Sequence, residues 1–174
     1  STSDSETANY ETLAYFDNFE IRKYPELTVA TTKLNEGSYS KNSRIGFGRL
    51  AAYIFGGNTD KSQIAMTSPV QMNIHFDTTM SFFMPENIAY DDLPKPNNGA
   101  VSIQMIPSKI VAVIGFKGWA SDEILKRKFN ELKSLLSDEG INFYNKYSFL
   151  GYNPPYQFIN RKNEVLINLK NYKN

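Results

Sequence analysis

Two short stretches of this chain carry residues whose types could do chemistry. IAMTSPVQMNIHF, residues 64–76, holds two of the five methionines, Met66 and Met72, and the single histidine, His75. Thioether sulfur and imidazole nitrogen are both ligands that haem iron accepts. Strand periodicity separates them, however. At period two, Ile64, Met66, Ser68, Val70, Met72, Ile74 and Phe76 share one face, and His75 falls on the other with Thr67, Gln71 and Asn73. On that reading the methionines fill core gaps, and His75 is a solvated histidine on a polar face. RKNEV, residues 161–165, is the second stretch. Here Arg161 and Glu164 are expected to pin the last strand through hydrogen bonds and an ion pair. Glu164 is also a candidate acid–base group should it lie in an apolar cleft.

Other chemistry finds little support. With no cysteine and one histidine, the usual nucleophilic triads are not expected. Thr67 and Ser68 precede Pro69 and read as hydroxyls that satisfy local backbone groups. The acidic pairs Asp91–Asp92 and Asp138–Glu139 lack the spacing of a carboxylate metal site and read as solvated charge, so no metal site is expected.

The elements that must position these residues repeat along the chain. FEIRKYPELTVATTKL, from Phe19, aligns with VSIQMIPSKIVAVIGF, from Val101, in one continuous phase. Phe19 meets Val101, Ile21 meets Ile103, Pro25 meets Pro107, Val29 meets Val111, Ala30 meets Ala112 and Leu34 meets Phe116. Each segment reads as a hairpin, and the in-phase matches mark an internal duplication. A helix is expected after each hairpin. The first is residues 42–55, closed by Gly56 and Gly57. The second begins after Ser121 as N-cap, with Asp122 and Glu123 at the positive end of the dipole. Leu125, Phe129, Leu132 and Leu136 give it an apolar core stripe, and Gly140 ends it. Strands are expected at 64–76, 79–85, 145–153 and 163–170. Two strand–strand–helix–strand–strand halves, about 10–85 and 100–174, joined by the Pro- and Asn-rich loop 86–99, give the fold class. It is α+β, about eight antiparallel strands in two repeated halves with two helices packed outside, curled into a barrel or a strongly bent sheet.

Composition narrows the function classes. Nineteen basic and 18 acidic residues leave a net charge of +1, with no basic stripe of the kind that neutralises phosphates, so a nucleic-acid partner is not expected. No apolar run approaches the roughly 20 residues that span a bilayer. STSDSETAN, residues 1–9, reads as a disordered polar tail ahead of a single domain at 10–174. It suits the spacer left behind a removed export signal or an arbitrary start, which leaves cytoplasmic and exported locations both open.

Six motifs in order, FGRLAAYIFGGN (47–58), IAMTSPV (64–70), FFMP (82–85), DDLPKP (91–96), GYNPPY (151–156) and RKNEV (161–165), resemble the SOUL or haem-binding-protein family over nearly all of the chain after residue 9. The resemblance implies a distorted antiparallel barrel with two helices, in agreement with the duplication. It also implies non-enzymatic binding of haem or another tetrapyrrole in a shallow apolar cleft beside the first helix, with basic residues near the propionates, as a carrier, buffer or sensor. Some members bind without an iron-ligating side chain. A related effector-binding superfamily binds diverse hydrophobic molecules and includes a few hydrolases. An interaction module for another hydrophobic small molecule or peptide is therefore the alternative, and a hydrolase using Glu164 the third reading.

On a helical wheel, Phe47, Leu50, Ala51 and Ile54 share one face, while Gly48, Ala52 and Phe55 lie on an adjoining one with Arg44 a turn earlier. Gly46 and Gly48 each cost the helix about 1 kcal/mol relative to alanine. Either their missing side chains let a planar ring approach the backbone while Arg44 pairs with a carboxylate, or strand and helix pack closely there, or the helix starts only near Phe47. By the resemblance, Arg44 matches a basic family position, and Phe47 stands where haem binders can carry a methionine. Ala51 and Ala52 stand where the family has bulkier apolar and basic residues. Tyr156 is a ring-stacking candidate, and Gln157 replaces what can be a basic residue with a hydrogen-bonding amide. The candidate tetrapyrrole site is thus Arg44, Phe47, Gly48, Ala51, Ala52, Phe55, Tyr156 and Gln157.

Overall fold

The runs of β-branched and aromatic residues become strands that pair antiparallel into one sheet. In the computed structural model, which describes residues 6–74, 77–153 and 157–174, these are β1 (Glu11–Tyr15), β2 (Glu20–Tyr24), β3 (Leu27–Lys33), β4 (Val70–Asn73), β5 (Thr79–Phe83), β6 (Val101–Ile106), β7 (Lys109–Lys117), β8 (Ser148–Gly151) and β9 (Lys162–Asn168). Helix α1 (Tyr39–Ile54) follows β3, and α2 (Asp122–Asp138) follows β7. The strand order is β1-β2-β7-β9-β8-β4-β5-β3-β6, nine strands among the described residues. The curled sheet stays open between its edges β1 and β6, so the barrel is distorted and incomplete.

This order is symmetric about the β8–β4 pair once β1 is set aside. Ile21 of β2 faces Ala112 of β7, and Ala30 of β3 faces Ile103 of β6. These are the same two pairs under the sequence duplication, and Tyr24–Lys109 matches Leu27–Ile106 in the same way. The duplication therefore holds down to strand register, but the expected hairpins do not form. β2 pairs with β1 and β7, and β3 with β5 and β6. Pro25 and Pro107, which offer no N–H to a ladder, sit where the chain changes partner instead of doubling back.

Both helices pack on one face of the sheet. Leu50, Tyr53 and Ile54 of α1, with Leu125, Phe129, Leu132 and Leu136 of α2, share a core with Ile21, Ala30, Met72, Met80, Phe82, Ala112 and Ile167. The opposite face, inside the curl, carries a smaller cluster of Tyr24, Val111, Val113, Leu150 and Leu166. Helix α2 matches its expected cap and stripe: the Ser121 side chain accepts from the Ile124 N–H at 3.2 Å. Asp122 also caps the other helix, accepting from the N–H of Tyr39 at 2.8 Å and the hydroxyl of Ser40 at 2.6 Å. That carboxylate and the Ser38 cap explain why α1 starts at Tyr39, earlier than the expected residue 42. Among the described residues, no helix is long and apolar enough to cross a membrane.

The 64–76 stretch is only partly a strand. Before Val70, where the ladder begins, the chain is tied by isolated bridges, Gln63 to Phe55 just ahead of the stretch and Ser68 to Thr7 within it. Met72 is buried as expected, but Thr67 and Gln71, expected on a solvated polar face, are buried too. Thr67 donates to the Phe83 carbonyl at 2.6 Å, and Gln71 points into the curl. His75 lies outside the described residues. Residues 6–9, expected as part of a disordered tail, run beside Ser68, with the Ala8 N–H donating to its carbonyl at 3.1 Å.

Candidate functional site

Helix α1 presents a row of small and apolar residues to solvent. Arg44, Ile45, Gly48, Ala52 and Phe55 are all exposed, at the three- and four-residue spacing that lines up one helix face. Ile45 is 52% and Phe55 63% exposed, high values for side chains of their apolar size. Arg44, a turn before Gly48, makes no ion pair among the described residues. The result is a flat strip with a cation at its start, a gap at Gly48 and an aromatic ring at its end.

The two helix glycines have different causes. A Cβ at Gly46 would stand 3.1 Å from the Leu34 side chain and from both Cβ and Sδ of Met80, so close packing on β5 accounts for it. A Cβ at Gly48 would meet nothing within 4 Å. Packing therefore cannot explain Gly48, and a helix starting near residue 47 cannot either, since α1 begins at Tyr39.

The remaining members of the expected site divide. The core face of α1 is turned by about one residue from the expected one. It is built on Asn42, Gly46, Leu50, Tyr53 and Ile54, because Gly46 admits β5 and the buried Tyr53 hydroxyl donates to the Pro94 carbonyl at 2.7 Å. Burial pushes the Tyr53 phenol up to about 12, which keeps it a neutral donor. Phe47 and Ala51, expected among the core contacts, sit half-buried at the margin of the strip, with the Phe47 ring edge-on to Phe82 at 5.4 Å. Gln157 lies in the β8–β9 loop, where its amide donates to the Ile159 carbonyl at 3.0 Å and its own carbonyl accepts from Arg161 at 2.8 Å. Its side-chain amide thus serves the loop backbone while its backbone carbonyl holds the Arg161 guanidinium, and Tyr156 is outside the described residues. Ile45 was missed by the sequence reading, although the wheel already places it beside Gly48 and Ala52.

Arg161 and Glu164 do not pair with each other. The Arg161 guanidinium stacks 4.0 Å over the Trp119 ring, which also meets Phe158 edge-on at 5.6 Å. Glu164 is 4% exposed, inside the curl, and takes a two-pronged contact from Arg22, at 2.9 and 2.5 Å, with a further donor in the Tyr152 hydroxyl. Glu20, the Tyr24 hydroxyl at 3.2 Å and the Tyr10 ring, 4.1 Å from the guanidinium carbon, complete the surroundings of Arg22. Burial opposes the Arg22 charge, but the hydrogen bonds and charge of Glu164 outweigh it and hold the guanidinium firmly protonated. Burial, reinforced by Glu164, raises the Tyr152 phenol. Both oxygens of the Glu164 carboxylate are thus engaged, Oε1 by Arg22 and Tyr152 and Oε2 by Arg22. Among the described residues, no group of three potential metal ligands converges.

Comparison with known proteins follows the same lines. A family model described as SOUL heme-binding protein matches residues 5–168. The chain belongs to that family. It is 29% identical to Heme-binding protein 2 of Homo sapiens over 163 residues, covering 88% of this chain and 79% of that protein. It is 25% identical to Heme-binding protein 1 of Xenopus laevis over 155 residues, covering 84% and 81% respectively. Among solved structures, the EcmrR C-terminal domain superposes with a TM-score of 0.67 at 13% identity, over 92% of this chain and 98% of that one. A hydrolase from Listeria innocua gives 0.63 at 12% identity, over 91% and 94%. At such identities the likeness is one of fold, and that fold hosts more than one function.

Proposed function

We propose that this SOUL-family chain binds haem or a related tetrapyrrole flat against the outer face of α1, acting as a carrier, buffer or sensor and not as an enzyme. The carrying observation is Gly48, a helix-interior glycine on an exposed apolar strip with no packing reason to be there. A planar ring laid over Gly48 and Ala52 would reach the backbone, with Ile45 and Phe55 flanking it and Arg44 positioned for a propionate carboxylate. The residues present fit the porphyrin plane and one carboxylate. Among the described residues none on this face carries an imidazole, thiolate or thioether, so the binding proposed rests on apolar contact. Each 100 Å² or so of ring face covered contributes about 2.5 kcal/mol before association costs, without any bond to iron.

The test is a titration with haemin and with metal-free protoporphyrin IX, followed by absorbance and by quenching of Trp119. Both are expected to saturate with dissociation constants within about threefold of each other, a difference of under 1 kcal/mol. Gly48→Leu keeps a good helix former but fills the gap, and is expected to weaken both at least about tenfold. If neither compound binds, tetrapyrrole binding is refuted and the strip is left to another hydrophobic small molecule or peptide. If both bind and Gly48→Leu is silent, the α1 face is the wrong site.

A further inference from the structure

The inside of the curled sheet, facing away from both helices, holds a cavity of about 460 Å³. That volume lies within the roughly 300–1,000 Å³ range of small-molecule sites. One side of its lining is apolar, with Val29 of β3, Ile106 of β6 and Leu166 of β9. The other is polar and mostly self-satisfied. Gln71 Nε2 donates to Asn73 Oδ1 at 3.1 Å and lies 3.4 Å from Ser148 Oγ, Ser148 donates to the same Asn73 oxygen, and Asn73 Nδ2 donates to Thr79 at 2.9 Å.

Three charged side chains join this lining, Asp77, Lys146 and Lys109 at the start of β7, and Lys109 is the one whose burial is felt most. The Lys109 ammonium makes no hydrogen bond or ion pair with any other described residue, and burial alone lowers its pKa to about 8. A partly desolvated cation without a counter-ion is costly, and proteins normally pair such charges. Arg22, on the same face, shows the usual solution, with two carboxylates at hydrogen-bonding distance. At Lys109 no carboxylate of the described residues comes within ion-pair distance, Asp77 of the same lining included, while a cavity of ligand size adjoins the amine.

We propose that this cavity binds a small organic carboxylate, its anionic group paired with Lys109 and its apolar body against Val29, Ile106 and Leu166. The mixed lining favours an amphipathic monoanion over an inorganic one, since three apolar side chains offer nothing to a fully hydrated ion. The site is separate from the α1 strip, because the sheet itself stands between the two.

Isothermal titration with octanoate and benzoate, using 1-octanol as the uncharged counterpart of the first, tests this. At least one carboxylate is expected to bind saturably and octanol at least about tenfold more weakly. Lys109→Met should reduce carboxylate binding to the octanol level, and Lys109→Arg should retain it, with circular dichroism and haemin titration confirming that both variants are folded. Absence of binding by both carboxylates overturns the proposal, as does equal binding of octanoate and octanol, or a Lys109→Met variant that binds like the parent. Displacement of octanoate by haemin with one-to-one competition would also overturn it, by placing both ligands on one site.

Discussion

Alanine at Gly48 should stabilise the protein and alanine at Gly46 should not, although the two residues sit two positions apart in one helix. At Gly48 the new methyl enters open space, so the change is that of glycine to alanine in an exposed helix interior, a gain of about 1 kcal/mol. For a chain of this size that corresponds to roughly 2–4 °C in Tm. At Gly46 the same backbone gain is available, but the methyl meets the Leu34 side chain and the Cβ and Sδ of Met80 at 3.1 Å. The Leu34 and Met80 tips can move, yet the Met80 Cβ is fixed to β5, so α1 must lift from the sheet. Overpacking of this kind costs about 1–3 kcal/mol, so Gly46→Ala should come out neutral to about 2 kcal/mol destabilised. Urea unfolding followed by circular dichroism measures both, and the two-variant difference of about 1–3 kcal/mol is read from the shift in midpoint at a common slope. Equal stabilisation by both would refute the close approach of α1 to β5. Destabilisation by Gly48→Ala would show that something packs on the strip and would remove the reason for placing a ligand there.

Two further predictions concern the inside of the curl. Glu164→Gln leaves Arg22 buried with only Glu20 to balance it and should cost about 2–4 kcal/mol in urea unfolding, whereas the double change Arg22→Met with Glu164→Leu should recover most of that loss; a double variant no better than the single one contradicts the ion-pair account. Lys109→Met should stabilise the protein at neutral pH. The folded-state amine lies near 8, below its ordinary 10.5, so the folded form releases its proton first, the charge penalty is full below pH 8, and parent stability rises as pH climbs from 8 to 10.5. That drop corresponds to about 3 kcal/mol, or about 2 once partial exposure is allowed for. The advantage of the variant should therefore be about 2 kcal/mol at pH 7 and shrink towards pH 10. Tyr24 across the ladder, and Asp77, Lys146 and Tyr147 on the cavity lining, are common to both proteins and cancel in the difference. A constant advantage across that window would assign the gain to packing and not to charge.

Periodicity reveals a face but not a partner, and this divides what was legible in the sequence from what was not. The α2 stripe was readable because each of its four positions needs only to point inward. The duplication was readable because both copies kept Pro25 and Pro107 in phase, yet the strands around those prolines pair between copies and not within them. Gln71 and Thr67 alternate with apolar neighbours and so read as solvent-facing, but the sheet curls, and a polar face can line its interior. The row Arg44, Gly48, Ala52 and Phe55 was visible because helical spacing alone collects it. The partner of Glu164 was not, because Arg22 stands 142 positions away and only the β2–β7–β9 order brings the two together.

The same duplication explains why the inside of the curl is polar in such an uneven way. The pair Arg22–Val111 in β2 and β7 corresponds to Gln104–Val29 in β6 and β3, so the buried arginine of one half is an exposed glutamine in the other. Lys109, opposite Tyr24, corresponds to Leu27, opposite Ile106. A symmetric frame thus carries one cation of each kind, and they meet different fates. Arg22 reaches Glu164, Tyr152 and Tyr24, and side chains with matched charge fill that end. Lys109 shares an open volume with amides, a hydroxyl, apolar walls, Lys146 and an Asp77 that does not come within ion-pair distance, so nothing there restores its pKa. Had the frame required only solubility or packing, a leucine such as Leu27 would have served at Lys109 without the desolvation cost. Retaining an unpaired amine beside a cavity is stabilising only when an anion arrives, and the octanoate titration asks for that anion directly.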